Sequence, residues 1–315
     1  MQKEFPLISI IILNYNQLEV TCEFLESTKQ LSYPNFEIIL VDNASKINPT
    51  QVVHQQYPDV KVIVSKENLG FTGGNNLGIE SAQGEYFLII NNDTEVTEDL
   101  LERLLEPFNL FPEVGMVSPK IRYFQEPEII QYAGYTPINP FTGRNRAIGS
   151  KEVDRGQYNI SHETPYAHGA AMMVKREVVE EVGMLPDLFF IYYEELDWSS
   201  QIRNKGYSVY YQANALVYHK ESITMGKESA IKAYYHNRNR VLFMRRNTNA
   251  LQWIGFLIFL LLFIIPKKTV TYVSKGRFVH LKALYRGLWW NIIHPKEEIT
   301  PVIAKVSRTV NFQAS

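Results

Sequence analysis

Residues 7–13, LISIIIL, and residues 36–41, FEIILV, are two apolar segments of strand length. β-branched side chains in such short runs favour buried β-strands over helices. Between the two segments, Leu18, Cys22 and Leu25 recur at the spacing of one helix face. A strand, a helix and a second strand in this order predict a βαβ unit, in which the strands are parallel and the helix covers the sheet.

The same alternation continues along the first two thirds of the chain. A third strand is predicted at residues 60–64 and a fourth at residues 86–90, with a helix between them that begins in a glycine-rich loop. Later strands are predicted at residues 169–174, near 208–211 and near 215–218. The pattern predicts an α/β fold with a mixed, mainly parallel sheet flanked by helices.

Size and composition indicate a globular protein. The chain has 315 residues, of which 45% are hydrophobic and 21% charged, enough to bury a substantial core and to exclude a disordered protein. Cys22 is the single cysteine, so no internal disulfide can form. The first residues lack the basic and apolar regions of a secretory signal. We therefore expect a protein of the reducing cytoplasm.

The charges divide the chain into two unlike parts. Residues 1–228 carry 18 Lys and Arg against 31 Asp and Glu, whereas residues 229–315 carry 14 against 2. We expect a catalytic domain over residues 1–225 and a basic, apolar helical segment over residues 226–315, because the two parts suit different partners.

The C-terminal segment contains an apolar run, residues 251–265, followed by basic and aromatic residues. As a helix the run would measure about 22 Å, shorter than a hydrocarbon core of roughly 30 Å, so a full membrane span is not expected. The basic and aromatic residues that follow the apolar run favour a helix that lies in the headgroup region of an anionic membrane. The alternative is a buried core helix with a solvated basic face. Nucleic acid is a poorer partner, because the acidic half would repel it.

Polar residues follow three of the predicted strands. In a doubly wound sheet, ligands bind at the carboxyl ends of the strands, although Asn and Asp also make ordinary turns there. Three such groups at one edge of the sheet favour a binding site over three unrelated turns. The groups are Asn14, Tyr15 and Asn16 after the first strand, Asp42 and Asn43 after the second, and Asn91, Asn92 and Asp93 after the fourth.

The loop at residues 68–74 is rich in glycine and opens a helix. Glycines let a backbone approach a phosphate, and a helix N-terminus offers free N–H groups. The loop matches neither the G-x-G-x-x-G dinucleotide fingerprint nor the Walker loop, which argues against a dehydrogenase or a kinase.

Three carboxylates, Glu194, Glu195 and Asp197, begin a predicted helix. Acids in a first turn also favour the helix dipole, so each one alone has a structural explanation. A cluster of three after an aromatic run favours a site in which one carboxylate is a general base. A lone histidine after an apolar strand usually has a structural role. His219 becomes a candidate metal ligand only if Asp93 lies nearby.

Seven segments in order resemble the family 2 glycosyltransferases with the GT-A fold, and among them the rhamnosyltransferase-like enzymes of bacterial polysaccharide assembly. They span roughly residues 7–222. The segments are SIIILNYN, IILVDNAS, NLGFTGGNNLGI, LIINNDTEV, HGAAMMVKREVVEEVG, YYEELDWSSQIRNKGY and VYHKES.

The resemblance implies a GT-A, Rossmann-like sheet and roles for individual residues. Asp93 corresponds to the metal-binding end of the family's DXD motif, whose first position is Asn91 here, and His219 to a late metal-binding histidine. The family's catalytic aspartate corresponds to Glu195, with Asp197 and Glu194 as alternatives. The predicted nucleotide-sugar-binding set is Asn14, Asn16, Asp42, Asn43, Asn68, Gly70, Asn76 and Asn92.

The implied activity is inverting transfer of a sugar, with rhamnose favoured, from a dTDP- or UDP-sugar to a glycan or lipid-linked acceptor, assisted by Mg²⁺ or Mn²⁺. We expect the enzyme to be peripheral on the inner face of the cell membrane. Two alternatives are open. Asn91 and Glu195 depart from the usual carboxylates and so suit a weakly catalytic binding module. A sugar nucleotidyltransferase shares the fold, but the residues after the first strand lack the basic side chains that it needs.

Overall fold

The computed structural model describes residues 5–220 and 229–294, and one mixed sheet runs through the larger of these parts. Its strand order is β3-β2-β1-β4-β9-β6-β10-β5, with β7 beside β6 and β8 beside β10. The strands are β1 (Ile8–Asn14), β2 (Phe36–Asp42), β3 (Lys61–Val64), β4 (Tyr86–Ile90), β5 (Thr94–Val96), β6 (Val114–Tyr123), β7 (Ile130–Tyr132), β8 (His162–Glu163), β9 (Ala171–Lys175) and β10 (Ser208–His219).

Helices cover both faces of the sheet and continue beyond it at the C-terminal side. A short 3₁₀ helix, Asp187–Phe189, precedes α6, and a π-helical segment, Leu260–Ile264, joins α8 to α9. The helices are α1 (Leu18–Thr28), α2 (Thr50–Gln56), α3 (Gly70–Ser81), α4 (Leu100–Leu110), α5 (Arg176–Val182), α6 (Glu194–Asn204), α7 (Ala230–Asn247), α8 (Ala250–Phe259), α9 (Ile265–Ser274) and α10 (Phe278–Ile293).

The parallel pairs are concentrated at one side of the sheet, where β3, β2, β1 and β4 all run in the same direction. β9 is antiparallel to both β4 and β6, so it reverses the direction at the centre. The α/β fold with a mixed sheet between helices is therefore as predicted. The parallel pairing brings the ends of β1, β2 and β4 to one edge, as the sequence pattern requires.

Alternation along the strands supplies two cores, one on each face of the sheet. Along β1, Ile10 and Ile12 are buried on one face and Ile11 on the other. A third apolar cluster, which we call the C-terminal cluster, joins the last helices to the sheet domain. It includes Phe189, Leu196, Val241, Leu242, Phe243, Met244, Phe256, Leu260 and Ile264.

One prediction about the strands differs from the structure. The strands expected near 208–211 and 215–218 are a single strand, β10, whose register against β6 shifts between Gln212 and Leu216. A bulge of this kind breaks the alternation that sequence patterns rely on. The predicted boundary between residues 225 and 226 lies outside the described residues, as do the last two residues of the VYHKES segment and residues 295–315, and the boundary stays a prediction.

The apolar segment after α7 is longer than its sequence suggested. The helix is continuous over Ala250–Ser274, which is 25 residues and about 37 Å, and it is long and apolar enough to cross a membrane. The prediction that it is too short was wrong because the helix continues through Pro266 and the two lysines that follow it. Pro266 lies just after the π-helical segment Leu260–Ile264, where the regular α-helical hydrogen-bond pattern is already interrupted.

Candidate functional site

A single large cavity opens at the strand ends that the sequence singled out. Its volume is about 1040 Å³, at the upper end of the roughly 300–1,000 Å³ that ligand pockets occupy. The ends of β1 and β4, the residues just before β9 and the first turn of α6 line one part of the cavity, which we call the floor. Residues of α7 and α10 line another part, which we call the roof.

Asp93 and His219 meet on the floor of this cavity. β5 and β10 are antiparallel with Thr94 opposite His219, and this pairing brings the histidine beside the aspartate. Its Nε2 lies 3.2 Å from Asp93 Oδ1, and both side chains are buried. The other ring nitrogen, Nδ1, lies 2.8 Å from Gln131 Oε1. When Nδ1 donates to that amide oxygen, Nε2 presents a lone pair to a carboxylate.

This pair fits a divalent cation. Asp93 Oδ1 is buried and accepts no hydrogen bond. A carboxylate oxygen and an imidazole lone pair therefore face each other, and among the described residues no positive group balances the carboxylate charge. Such an arrangement favours a cation at that point. Asn91 also lines the cavity, and its backbone N–H donates to Ala170 O. Within residues 5–220 and 229–294, no three acidic, histidine or cysteine side chains converge on a metal position.

Glu194 and Glu195 lie at the start of α6 and both line the cavity. Each has one carboxylate oxygen, Oε2, that is buried without a hydrogen-bond partner. Burial raises the pKa of Glu195 to about 7, against the opposing effect of backbone N–H groups. The pKa of Glu194 is raised well above its usual value by burial and by the charge of Glu195. A carboxyl group with a pKa near 7 is suited to general-base catalysis at neutral pH.

Asp197 occupies a different position from its two neighbours. It is fully buried and does not line the cavity. Arg246 donates to both of its oxygens, from Nε at 2.9 Å and from Nη2 at 3.0 Å, and Asn247 Nδ2 donates to Oδ1 at 2.7 Å. A carboxylate held in this way stabilises the fold and offers no free oxygen to an acceptor, which leaves Glu195 and Glu194 as the reachable carboxylates.

Asp42 and two of the predicted amides organise the edge behind the cavity instead of lining it. Asp42 is buried, and its carboxylate accepts from Asn14 Nδ2 at 2.7 Å and from the backbone N–H of Ser45 at 3.1 Å. Asn16 accepts from the backbone N–H of Lys46 at 2.8 Å. These bonds join the loop after β1 to the loop after β2. Tyr15, Gln17, Asn43, Asn68 and Asn92 are the polar residues from the predicted strand ends and loops that line the cavity floor near them.

The glycine-rich loop packs against protein backbone, and its residues Asn68, Gly70 and Phe71 also line the cavity, so its contact with a phosphate stays a prediction. The backbone N–H groups of Phe71 and Thr72 both donate to Phe190 O, at 2.7 and 3.2 Å. Gly70 has a φ of +71°, and a Cβ on it would lie 2.4 Å from the same oxygen. Asn76 also faces away from the cavity, because its amide bonds Leu185 O and N–H. The expected free N–H groups of α3 are therefore occupied.

The segment between the 3₁₀ helix and α6 is strained and held from α7. Phe190, Tyr192 and Tyr193 have φ values of 65°, 70° and 75°, in the left-handed region that non-glycine residues rarely adopt. The buried Asn239 amide donates to the carbonyl oxygens of Phe189, Ile191 and Tyr192, at 2.7–2.9 Å. The sequence did not indicate Asn239, because it lies in a stretch that resembles a polar, solvated helix face.

Known proteins resemble this chain in sequence and in fold. Residues 9–183 match the family described as glycosyl transferase family 2. The low-salt glycan biosynthesis hexosyltransferase Agl10 of Haloferax volcanii is 28% identical over 245 residues, covering 75% of this chain and 74% of its own. The N-acetylglucosaminyl-diphospho-decaprenol L-rhamnosyltransferase of Mycobacterium tuberculosis is 21% identical over 257 residues, covering 75% and 83%.

Two solved structures share the fold at low sequence identity. The mannosyltransferase PcManGT of Pyrobaculum calidifontis, in complex with GDP-Man and Mn²⁺, has a TM-score of 0.57 and 18% identity, covering 93% of this chain and 76% of its own. GalNAc-T7 with UDP, GalNAc and Mn²⁺ has a TM-score of 0.61 and 15% identity, covering 78% and 49%. These are GT-A structures, and the predicted fold is therefore confirmed.

The contact between Gly70 and Phe190 can be tested by substitution. Gly70→Ala is expected to displace the strained segment that leads to Glu195, because the new methyl group would overlap Phe190 O. Gly206→Ala is the matched control, since Gly206 also has a positive φ, +93°, but no atom lies within 4 Å of its Cβ position. We expect the control to lose about 1–2 kcal/mol in urea unfolding, and Gly70→Ala to lose more. Equal losses would contradict the proposed overlap.

Proposed function

Because the chain belongs to glycosyl transferase family 2, we propose that it transfers a sugar from a nucleotide diphosphate to an acceptor hydroxyl with inversion at the anomeric carbon. The observation that carries the proposal is the meeting, in one cavity, of the Asp93–His219 pair and the Glu195 carboxylate. The Asp93–His219 pair is suited to holding a cation at the diphosphate of the donor, and the Glu195 carboxylate is suited to taking a proton from the acceptor hydroxyl. A single displacement needs both, on opposite sides of the sugar.

Asp93 and His219 would hold a divalent cation, Mg²⁺ or Mn²⁺, which supplies positive charge to the diphosphate leaving group. The Mn²⁺ in two structures of the same fold supports this assignment. Asn91 replaces a carboxylate at the family's other metal position, so the site would carry one negative charge fewer. Asn43, Asn68 and Asn92 line the cavity and are proposed to contact the nucleotide sugar. Asp42 would act on the nucleoside through the loops that it joins.

Glu195 is the proposed general base. Its carboxylate lines the cavity, and its raised pKa lets it accept a proton from the acceptor hydroxyl at neutral pH. Glu194 and Glu195 compete for ionisation because they are adjacent and buried, so only one is expected to be charged in the resting site. Asp197 is assigned a structural role by its bonds to Arg246.

The donor and acceptor classes follow from the relatives. Their names describe a hexosyltransferase of glycan biosynthesis and a rhamnosyltransferase acting on a diphospho-decaprenol saccharide. We propose a dTDP- or UDP-sugar donor, rhamnose or another hexose as the transferred group, and a glycan or lipid-linked acceptor used in cell-surface polysaccharide synthesis.

The C-terminal helices are proposed to place the enzyme on the inner face of the cell membrane. Phe256, Leu260 and Ile264 recur every four residues and pack in the C-terminal cluster, so one face of the long helix is fixed to the catalytic domain. A helix packed against the protein on one side over residues 256–264 is proposed to lie in the membrane surface and not to cross it. Its other side is apolar and exposed, at Leu251, Ile254, Ile258, Leu261, Leu262 and Phe263.

Transfer can be tested with purified protein and a panel of UDP-, dTDP- and GDP-sugars. We expect nucleotide release from one of them to depend on Mg²⁺ or Mn²⁺, and Glu195→Gln to lower kcat by about 10²–10⁴-fold. Asp93→Ala is expected to abolish the stimulation by metal. Glu163→Gln, which makes the same chemical change on exposed β8, should leave the rate unchanged. Donor binding without release for every donor would indicate a binding module instead of an enzyme.

The pH dependence of kcat reports on the ionisation of Glu195. The base acts in its charged form, and its pKa of about 7 places the midpoint of the profile there. We expect kcat to rise by about tenfold per pH unit below the midpoint and to level off above it. A midpoint near 4.3, the ordinary value of a glutamate, would show that the base is not a buried carboxyl group.

Membrane attachment can be tested by making the exposed face of α8 and of the π-helical segment after it polar. The triple change Ile254→Asn, Ile258→Asn and Leu262→Asn is expected to weaken binding to phosphatidylglycerol vesicles by about 10²-fold or more, because each apolar side chain gains about 1.5–3 kcal/mol on burial. The change Leu110→Asn and Ile160→Asn, at exposed apolar positions of the catalytic domain, is the control. Unchanged flotation of the triple variant with vesicles would contradict attachment through α8.

A further inference from the structure

The roof of the cavity carries a set of cations that the transfer reaction above does not use. On α10, Val279, Lys282, Ala283 and Arg286 all line the cavity. Their spacing of three, one and three residues places them on one face of the helix. From α7, Lys232 adds a third cation to the same wall. We call Lys232, Lys282 and Arg286 the basic cluster.

Lys282 and Arg286 lack acidic neighbours in the sequence around them. No Asp or Glu occurs between Glu228 and Glu297. In the described parts of the chain, no salt bridge involves any of the three side chains, and Lys232 Nζ lies 5.8 Å from the centre of the Tyr192 ring. Burial and the charges of Lys232 and Lys268 lower the pKa of nearby His236 to about 4. Uncompensated positive charge on a cavity wall favours an anionic ligand.

The position of this wall is fixed by close packing of α10 on α7. A Cβ at Gly287 would lie 2.7 Å from Tyr234 O, so the two helices touch at a point where only glycine fits. Asn291 Nδ2 donates to Arg238 O at 2.9 Å. Lys282 and Arg286 therefore project from a braced helix, which is a rigid support for a binding site.

Exposed apolar side chains stand beside these cations. Ile231 on α7 is 57% exposed and Val279 on α10 is 69% exposed, and both belong to the cavity lining. The roof thus carries both positive charge and exposed apolar surface. The floor holds the unpaired oxygens of Asp93, Glu194 and Glu195. The two ends of the cavity suit different ligands.

From this arrangement we infer that the basic cluster binds the diphosphate of a lipid-linked acceptor, whose first isoprenoid units contact Ile231 and Val279. The inference rests on the proposed transferase function and names its acceptor. The donor diphosphate already has a proposed binding site at the Asp93–His219 pair on the floor. An acceptor held by its diphosphate at the roof would extend its saccharide toward Glu195, which lines the same cavity.

Direct binding of farnesyl diphosphate to the full-length protein in detergent tests the subsite without requiring turnover. The double variant Lys282→Glu and Arg286→Glu is expected to weaken this binding by about tenfold or more, because hydrogen bonds from charged donors to phosphate are lost and repulsion replaces them. Lys275→Glu is the matched control, since Lys275 is exposed in the same basic region but does not line the cavity. Equal binding by the double variant and the control would overturn the inference.

The source of the diphosphate is distinguished by measuring UDP, dTDP and GDP binding with Mn²⁺ in the same variants. We expect the double variant to bind them as the control does. A parallel loss of nucleotide and farnesyl diphosphate binding would overturn the inference, because the cluster would then serve the donor. Binding of inorganic pyrophosphate as tight as farnesyl diphosphate would also overturn it, since the apolar contacts would contribute nothing.

These binding results are independent of the donor screen. If farnesyl diphosphate binding depends on the basic cluster while no nucleotide sugar is turned over, the subsite stands and the transferase proposal fails. If turnover occurs but farnesyl diphosphate binding is insensitive to the double variant, the transferase proposal stands and the subsite fails. With a matched pair of acceptors, the double variant should raise KM for the diphosphate-bearing acceptor and leave KM for its uncharged glycoside unchanged.

Discussion

The buried ion pair between Asp197 and Arg246 connects the two parts of the protein on which the cavity depends. Asp197 belongs to α6, whose first turn carries Glu194 and Glu195, and Arg246 belongs to the last turn of α7. Both side chains are almost completely removed from solvent. Desolvating two charges is costly and is offset only by close, well-aligned hydrogen bonds, so this contact permits one arrangement of α6 against α7.

That arrangement places the cavity between a catalytic floor and a basic roof. The floor is built from strand ends and the first turn of α6, and the roof from α7 and α10. Asn239, about two turns before Arg246, holds the strained segment that leads into α6. The same helix thus fixes the position of the proposed base and carries part of the proposed acceptor subsite. Movement of α7 would alter both at once.

The division of charge along the chain corresponds to this division of the cavity. The carboxylate oxygens without hydrogen-bond partners lie on the floor, where a metal ion and a general base are proposed, and Lys232, Lys282 and Arg286 lie on the roof. The exposed apolar side of the helix over Ala250–Ser274 belongs to the same basic half. An amphiphilic acceptor with an anionic head suits all three features, because its lipid, diphosphate and saccharide parts require apolar, basic and acidic surroundings in that order.

The sequence by itself determined the α/β fold, the position of the site at the ends of β1, β2 and β4, and the cavity positions of Asp93, His219 and Glu195. It could do so because strand periodicity and strand-end polarity are local in sequence. It did not reveal that Asp42 and Asn76 bond to protein groups, that Phe190 O occupies the first N–H groups of α3, or that Asn239 holds the segment before α6. Those contacts join residues far apart in the chain, and only the tertiary structure decides which partner each polar group finds.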